Sequence, residues 1–274
     1  MKFGEVRLAQ AEGALLAHSL KLPGGKLRKG HPLGAEDLAA LAEAGHETVT
    51  VARPDPGDLL ENDAAERLAH AIHDGAAGLE LSQPFTGRVN LLADGPGVVL
   101  IEAGRITAAN SVDPMITVAT VPPLRQIHPG GMAATVKVIS YAVPEGAVTR
   151  AAEAARGAIR LAAPVFATAT LIVTDIPGGP GTKGVEAIET RLDGLGMTLA
   201  ATEAVPHEEP ALARAIKAAQ GDIVLILTAS ATSDPSDTAP AALRRAGGHV
   251  ERFGMPVDPG NLLFLGELGT RPVI

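Results

Sequence analysis

Thr228, Ala229 and Ser230, followed a few positions later by Asp234 and Asp237, concentrate more usable chemistry than any other part of this chain. They follow five apolar residues, 223–227, with the composition of a buried strand. Small hydroxyl residues at the carboxyl end of a central strand leave backbone N–H groups open to an anion. The neighbouring carboxylates suit a hard cation or an amino-substituted ring. The same run also reads as a strand followed by a capped helix, with Asp237 or Ser236 capping a helix that starts near Ala239. A second loop of this kind is Thr174-Asp175-Ile176-Pro177-Gly178-Gly179-Pro180-Gly181. It is no Walker motif, because no Gly-Lys-Ser/Thr follows at the required spacing, and its composition equally serves a flexible strand-to-helix link.

The elements around these loops alternate. Residues 166–173 predict a strand, 183–195 a helix ending at Gly196, and 197–205 a strand. Residues 208–219 predict a helix with Leu212, Ile216 and Ala219 on its inner face, and 223–227 a third strand. Short links between them imply a parallel sheet with right-handed crossovers. The two loops then leave the same edge of the sheet and can face one ligand.

The first half reads as mixed α and β. A strand is expected over 14–20, ended by the Pro23-Gly24-Gly25 turn. A helix is expected over 35–44 with Gly45 after it, a β triplet at 49–51 and a helix over 64–72. From about residue 85 the pattern turns to β, with short strands over 87–92, 97–101, 116–121 and 133–139. Residues 149–161 predict an alanine-rich helix. The expected domains are 1–148, α+β, and 149–274, a three-layer α/β/α domain with a mostly parallel sheet.

Other candidates have plainer readings. His70 and His73 share a helix without a third metal ligand. His207, Glu208 and Glu209 open a helix, where the carboxylates complement its dipole. Lys21, Lys26, Arg28 and Lys29 read as a solvated turn. No Ser-His-Asp set with a nucleophile elbow is present.

Composition narrows the partners. Of 274 residues, 46% are hydrophobic and only 2% aromatic, with no Trp, so base-stacking platforms are not expected. The net charge of -8 argues against a nucleic-acid backbone. The absence of cysteine rules out disulfides, thiolate catalysis and zinc–thiolate sites, and suits the cytoplasm. No apolar run is of bilayer length, and no signal-type apolar core follows the first residues, so no membrane association is expected.

Residues 167–274 resemble the molybdopterin-binding domain of molybdenum-cofactor biosynthesis proteins. Val173-Thr174-Asp175-Ile176-Pro177 stands where that family has a Thr-Gly-Asp-Glu-like loop. Gln220-Gly221-Asp222 leads into the Asp-containing strand, and Thr228-Ala229-Ser230 with Asp237-Thr238 stands for a Thr/Ser-Gly-Gly loop closing on an aspartate. Phe253-Gly254-Met255-Pro256-Val257-Asp258-Pro259-Gly260-Asn261 resembles the segment before the final sheet strand, where a Pro-Gly turn closes on the pterin site. The first half resembles accessory regions of molybdopterin molybdotransferase-like proteins. The resemblance implies a molybdopterin ligand contacted by Thr174, Asp175, Gly178, Gly179, Thr228, Ala229, Ser230, Asp234, Asp237, Pro259 and Gly260, with Mg²⁺ at Asp237. It also implies a homo-oligomer and a cytidylyltransferase domain or protein as partner. The family continues past the position of Ile274 into a Leu-Pro-Gly loop, so truncation is one reading of this end. Ala229 and Ser230 replace the paired glycines, and side chains there would restrict φ > 0. Binding or hand-over of the pterin is therefore the first expectation. The alternatives are a Mg²⁺-dependent molybdotransferase or adenylyltransferase and a ligand-free structural domain.

Overall fold

The computed structural model describes residues 1–179 and 181–274; Pro180 of the Gly/Pro loop lies outside them. The chain is mixed α/β and divides into two compact units, Met1–Ala163 and Pro164–Ile274.

The first unit holds two cores. In the smaller, alternation in Thr48–Arg53 turns Val49 and Val51 inward, and this strand pairs antiparallel with Lys2–Arg7 on one side and Leu15–Leu16 on the other. Leu41 of helix Ala35–Glu43 joins that core. In the larger, an antiparallel sheet runs in the order Ile116–Thr120, Met132–Val138, Arg88–Ala93, Leu79–Leu81. Helix Glu61–His73 presents Ala64, Leu68 and Ile72 at the spacing of one helical face, all fully buried. Helix Glu145–Ala155 brings Ala147, Val148, Ala151 and Ala155 to the same core. The helix expected over 149–161 therefore starts earlier and ends sooner. Gly157, at φ +62°, breaks it, and Ile159–Ala162 continues as a strand paired with Gly97–Ile101. The expected boundary at 148/149 falls inside Glu145–Ala155, which packs into the core of the first unit; the break between the units lies at Ala163–Pro164.

The second unit is built on β1 (Thr168–Asp175), α1 (Val185–Asp193), β2 (Thr198–Pro206), α2 (Glu209–Ala218), β3 (Ile223–Leu227), α3 (Thr238–Arg245), β4 (His249–Phe253), β5 (Phe264–Leu268) and β6 (Arg271–Val273). The sheet order is β2-β1-β3-β6-β5-β4. β1 is parallel to both β2 and β3, and β3 is parallel to β6. β5 runs antiparallel to both β6 and β4. β1 is buried from Ala169 to Thr174, its threonines included, as a strand flanked on both sides must be. β2 forms the edge, and most of its residues are exposed. Ile172 packs with Leu212 and Ile216 of α2 and Leu243 of α3. A separate cluster joins Ala169 to Leu192 and Met197.

Two details fix how β3 enters the sheet. A side chain at Gly221 would meet the Thr170 nitrogen at 2.5 Å, so only glycine permits this approach to β1. Asp222 then accepts hydrogen bonds from the Thr168 hydroxyl and from the Thr168 and Ala167 N–H groups at 2.8–3.0 Å. The Thr168 hydroxyl, with these two N–H groups, holds the Asp222 carboxyl below the usual carboxylate range.

Candidate functional site

The chain leaves β1 for the edge strand β2 and then crosses back to β3 on the other side of β1. This reversal is a topological switch point, where the loops after neighbouring parallel strands diverge and leave a crevice at their carboxyl ends. Thr174 closes β1, His207 follows β2, and Thr228, Ala229 and Ser230 follow β3.

These three loops are joined by side-chain hydrogen bonds. Thr174, 0% exposed, accepts the Ala229 N–H at its Oγ1 over 2.9 Å. The same oxygen lies 2.8 Å from His207 Nδ1, and His207 Nε2 lies 2.9 Å from Ser230 Oγ. The His207 N–H donates to the Asp175 carbonyl at 2.9 Å. The Thr228 hydroxyl donates to the Ser230 carbonyl at 2.7 Å, turning the chain sharply after the strand.

A cavity of about 450 Å³ opens beside this turn. One wall is the segment from Thr228 to Thr232 with Ile226 and Leu227. The other is Gly260, Asn261, Leu262, Leu263 and Phe264, and Ile274 completes it. No Asp, Glu, Lys or Arg side chain lines it. The N–H groups of Ser230, Ala231 and Thr232 have no hydrogen-bond acceptor among the described residues. Apolar side chains beside unbonded neutral donors suit a flat ring system carrying an acidic group.

Of the residues singled out from sequence, Thr228, Ala229, Ser230 and Gly260 line the cavity, and Thr174 holds the turn from behind. Asp175 is exposed and takes part through its carbonyl. Gly178, Gly179 and Pro259 are not among the lining residues; Gly179 closes a turn by donating to the Ile176 carbonyl at 2.8 Å. Asp234 and Asp237 serve the loop itself. Asp237 Oδ2 accepts the Ser233 and Asp234 N–H groups at 2.6 and 2.9 Å, and Asp234 Oδ1 accepts the Ser236 N–H at 2.7 Å. Asp237 stands at the N-cap of α3 by backbone, yet its carboxylate bonds backwards into the loop and makes no bond to the helix. One oxygen of each carboxylate is thus committed to backbone N–H groups of the loop. No group of three His, Asp or Glu side chains converges among the described residues.

Neither Ala229 nor Ser230 has a positive φ, so their side chains strain nothing at this turn. Glu208 stands at the N-cap of α2 without a side-chain bond to it, and Glu209 places a carboxylate in the first turn of the helix. His207 is the member of this hydrogen-bonded set to which motif reasoning gave no site role. Its signal was positional: it is the first residue past a parallel strand, at the edge where ligands collect.

His73 serves its own turn, its Nδ1 accepting the Gly75 N–H at 3.2 Å and its Nε2 donating to the Leu79 carbonyl at 2.9 Å. His70 lines a surface cleft with Arg67 and Arg156. Lys29, from the basic cluster, sits 4.9 Å over the Tyr141 ring.

Residues 5–53 match a family model described as Domain of unknown function (DUF8806). No curated protein matches the chain. Among solved structures, the molybdopterin biosynthesis MoeA protein from Pyrococcus horikosii is 11% identical, over 99% of this chain and 69% of that one, with a TM-score of 0.31.

Proposed function

We propose that the second unit binds a phosphate-bearing pterin of the molybdopterin class and acts as a carrier in molybdenum-cofactor synthesis or hand-over. The observation that supports it most is the hydrogen-bonded joining of three switch-point loops beside the cavity. Thr174 holds Ala229 in place, and the N–H groups of Ser230, Ala231 and Thr232, residues that line the cavity, have no acceptor among the described residues. A phosphate group would take those donors, and the pterin ring would lie on Leu262, Leu263 and Phe264. The volume falls within the roughly 300–1,000 Å³ of ordinary small-molecule sites. The sequence resemblance of residues 167–274 names the pterin; the geometry by itself supports only a flat ligand with an oxyanion.

The reading includes a three-layer arrangement of the second unit, a cytoplasmic setting, assembly into a homo-oligomer and hand-over to a cytidylyltransferase partner. A carrier is favoured over a Mg²⁺-dependent transferase because Asp234 and Asp237 are engaged in building their loop.

Mass spectrometry of the purified protein for a retained pterin, followed by fluorescence titration with molybdopterin, tests the proposal. A pterin mass and saturable binding that Ser230→Glu abolishes are expected. Absence of both retained pterin and saturable binding would refute it.

A further inference from the structure

We propose that Thr174, His207 and Ser230 form a one-way hydrogen-bond relay that fixes Ser230 as a donor toward the cavity. His207 is thereby a positioning residue that selects an oxyanion. The inference rests on the reading of the cavity as a ligand site, and it adds the direction in which the protons point.

The direction follows from counting donors. Thr174 is fully buried, and its Oγ1 already accepts the Ala229 N–H. Its hydroxyl hydrogen has one acceptor within reach, His207 Nδ1 at 2.8 Å. If Nδ1 carried the hydrogen instead, Thr174 Oγ1 would accept twice and its own hydrogen would be buried without a partner, which proteins avoid. Nδ1 is therefore the acceptor, and the neutral imidazole carries its hydrogen on Nε2. That hydrogen is donated to Ser230 Oγ over 2.9 Å. Ser230 Oγ thus accepts from His207, and its remaining hydrogen is free for a ligand.

A free serine hydroxyl turns its hydrogen wherever a partner stands. Held this way, it has one lone pair occupied by His207 and keeps its hydrogen to offer. The neighbouring N–H groups of Ser230, Ala231 and Thr232 only donate, and no aspartate or glutamate side chain lines the cavity. Beside this turn the subsite therefore favours a group rich in acceptors, a phosphate or another oxyanion. It does so without lysine or arginine. The relay also argues against Ser230 as a nucleophile. A base would have to receive the serine proton at Nε2, which here holds a hydrogen of its own.

The test uses the full-length chain with inorganic phosphate as the probe. Imidazole ¹⁵N NMR of the wild-type protein at neutral pH reads which ring nitrogen of His207 carries the hydrogen; Nε2–H is expected, and Nδ1–H overturns the relay. Phosphate is then titrated into Ser230→Ala, His207→Asn and the double variant. Asn places an amide oxygen near the position of Nδ1, keeping a partner for Thr174, but does not reach Ser230. Ser230→Ala is expected to weaken phosphate binding about tenfold, the loss of one charge-assisted hydrogen bond, and His207→Asn by a smaller factor, about threefold, because the serine hydrogen is kept but no longer oriented. The double variant should weaken it little beyond Ser230→Ala, because His207 acts only through Ser230. Wild-type affinity in His207→Asn, or losses that multiply in the double variant, would overturn the relay. Phosphate binding without any pterin binding would support the relay while refuting the pterin reading. No phosphate binding to the wild type would overturn the donor role assigned to Ser230, whatever the tautomer.

Discussion

Thr174→Val isolates the clasp between β1 and the turn after β3. Valine has nearly the shape of threonine, so packing at this fully buried position is kept and only the hydroxyl is lost. Two hydrogen bonds go with it, the one from Ala229 N–H at 2.9 Å and the one to His207 Nδ1 at 2.8 Å. At about 0.5–1.5 kcal/mol net for each, the loss is about 1–3 kcal/mol. The added methyl returns about 0.8 kcal/mol by burial, leaving a net loss of about 0.2–2 kcal/mol. In a domain of roughly 100 residues, each kcal/mol corresponds to about 4–8 °C in Tm. Thr174→Ser is the control: it keeps the hydroxyl and loses a methyl, at a similar cost of about 1 kcal/mol. Stability alone does not separate the two variants, but hydrogen exchange at the Ala229 amide does. Exchange should quicken by about fivefold or more in the valine variant and change little in the serine variant. An Ala229 amide equally protected in Thr174→Val and wild type would refute the clasp.

Asp237→Ala should destabilise the 233–237 loop by about 1–2 kcal/mol by removing the acceptor for Ser233 and Asp234 N–H, whereas Asp237→Asn should cost less than half of that. Calorimetry of phosphate binding with and without Mg²⁺ should give the same Asn-to-wild-type ratio; a loss seen only with Mg²⁺ would mean that Asp237 holds the metal. Asp222, whose carboxyl is held low in the folded state, contributes stability that is present above the ordinary aspartate range and lost as pH falls through its folded value. Thermal melts from pH 7 down to about pH 3 should therefore decline more steeply for wild type than for Asp222→Asn; parallel declines would refute it. Gly221→Ala should destabilise the second unit by more than 2 kcal/mol, roughly the scale of overpacking against backbone that cannot yield, measured by urea unfolding.

From β1 to β3 the elements of the second unit were legible because strong periods carry them, whereas β4, β5 and β6 were not. The Ile223–Leu227 run is short, apolar and β-branched, and 209–218 places Leu212 and Ile216 on one helical face. Thr174 and Ser230 were legible as neighbours because parallel strands send both loops to one edge. His207 was not, since its role depends on β2 lying beside β1 rather than beyond β3, and nothing local in the sequence fixes strand order. The roles of Asp234 and Asp237 were equally hidden: an aspartate near a helix start looks the same whether it bonds forward into the helix or back into the loop. In the first half, Lys2–Arg7 and Ala103–Asn110 were missed. The former is a mostly exposed strand whose alternation turns only Gly4 and Val6 partly inward, and the latter buries only Ile106 and Ala109. The helix ending at Ala155 was overextended because alanine-rich sequence continues the helical pattern past the point where Gly157 turns the chain.

β6 follows β5 in sequence yet lies between β3 and β5 in the sheet. The parallel strands β2, β1 and β3 and the antiparallel strands β5 and β4 are thus joined through one three-residue strand, with Ile226 donating to the Ile274 carbonyl and Ile274 donating to Val224. The cavity straddles this seam: its Thr228–Thr232 wall hangs from β3, and its Gly260–Phe264 wall leads into β5. A molecule held by both walls acts as a cross-brace, because its binding free energy is added to whatever keeps the two parts of the sheet together. The Ile226 and Ile274 amides should then exchange more slowly in the loaded protein, and the seam should be the first place to open once the cargo has left.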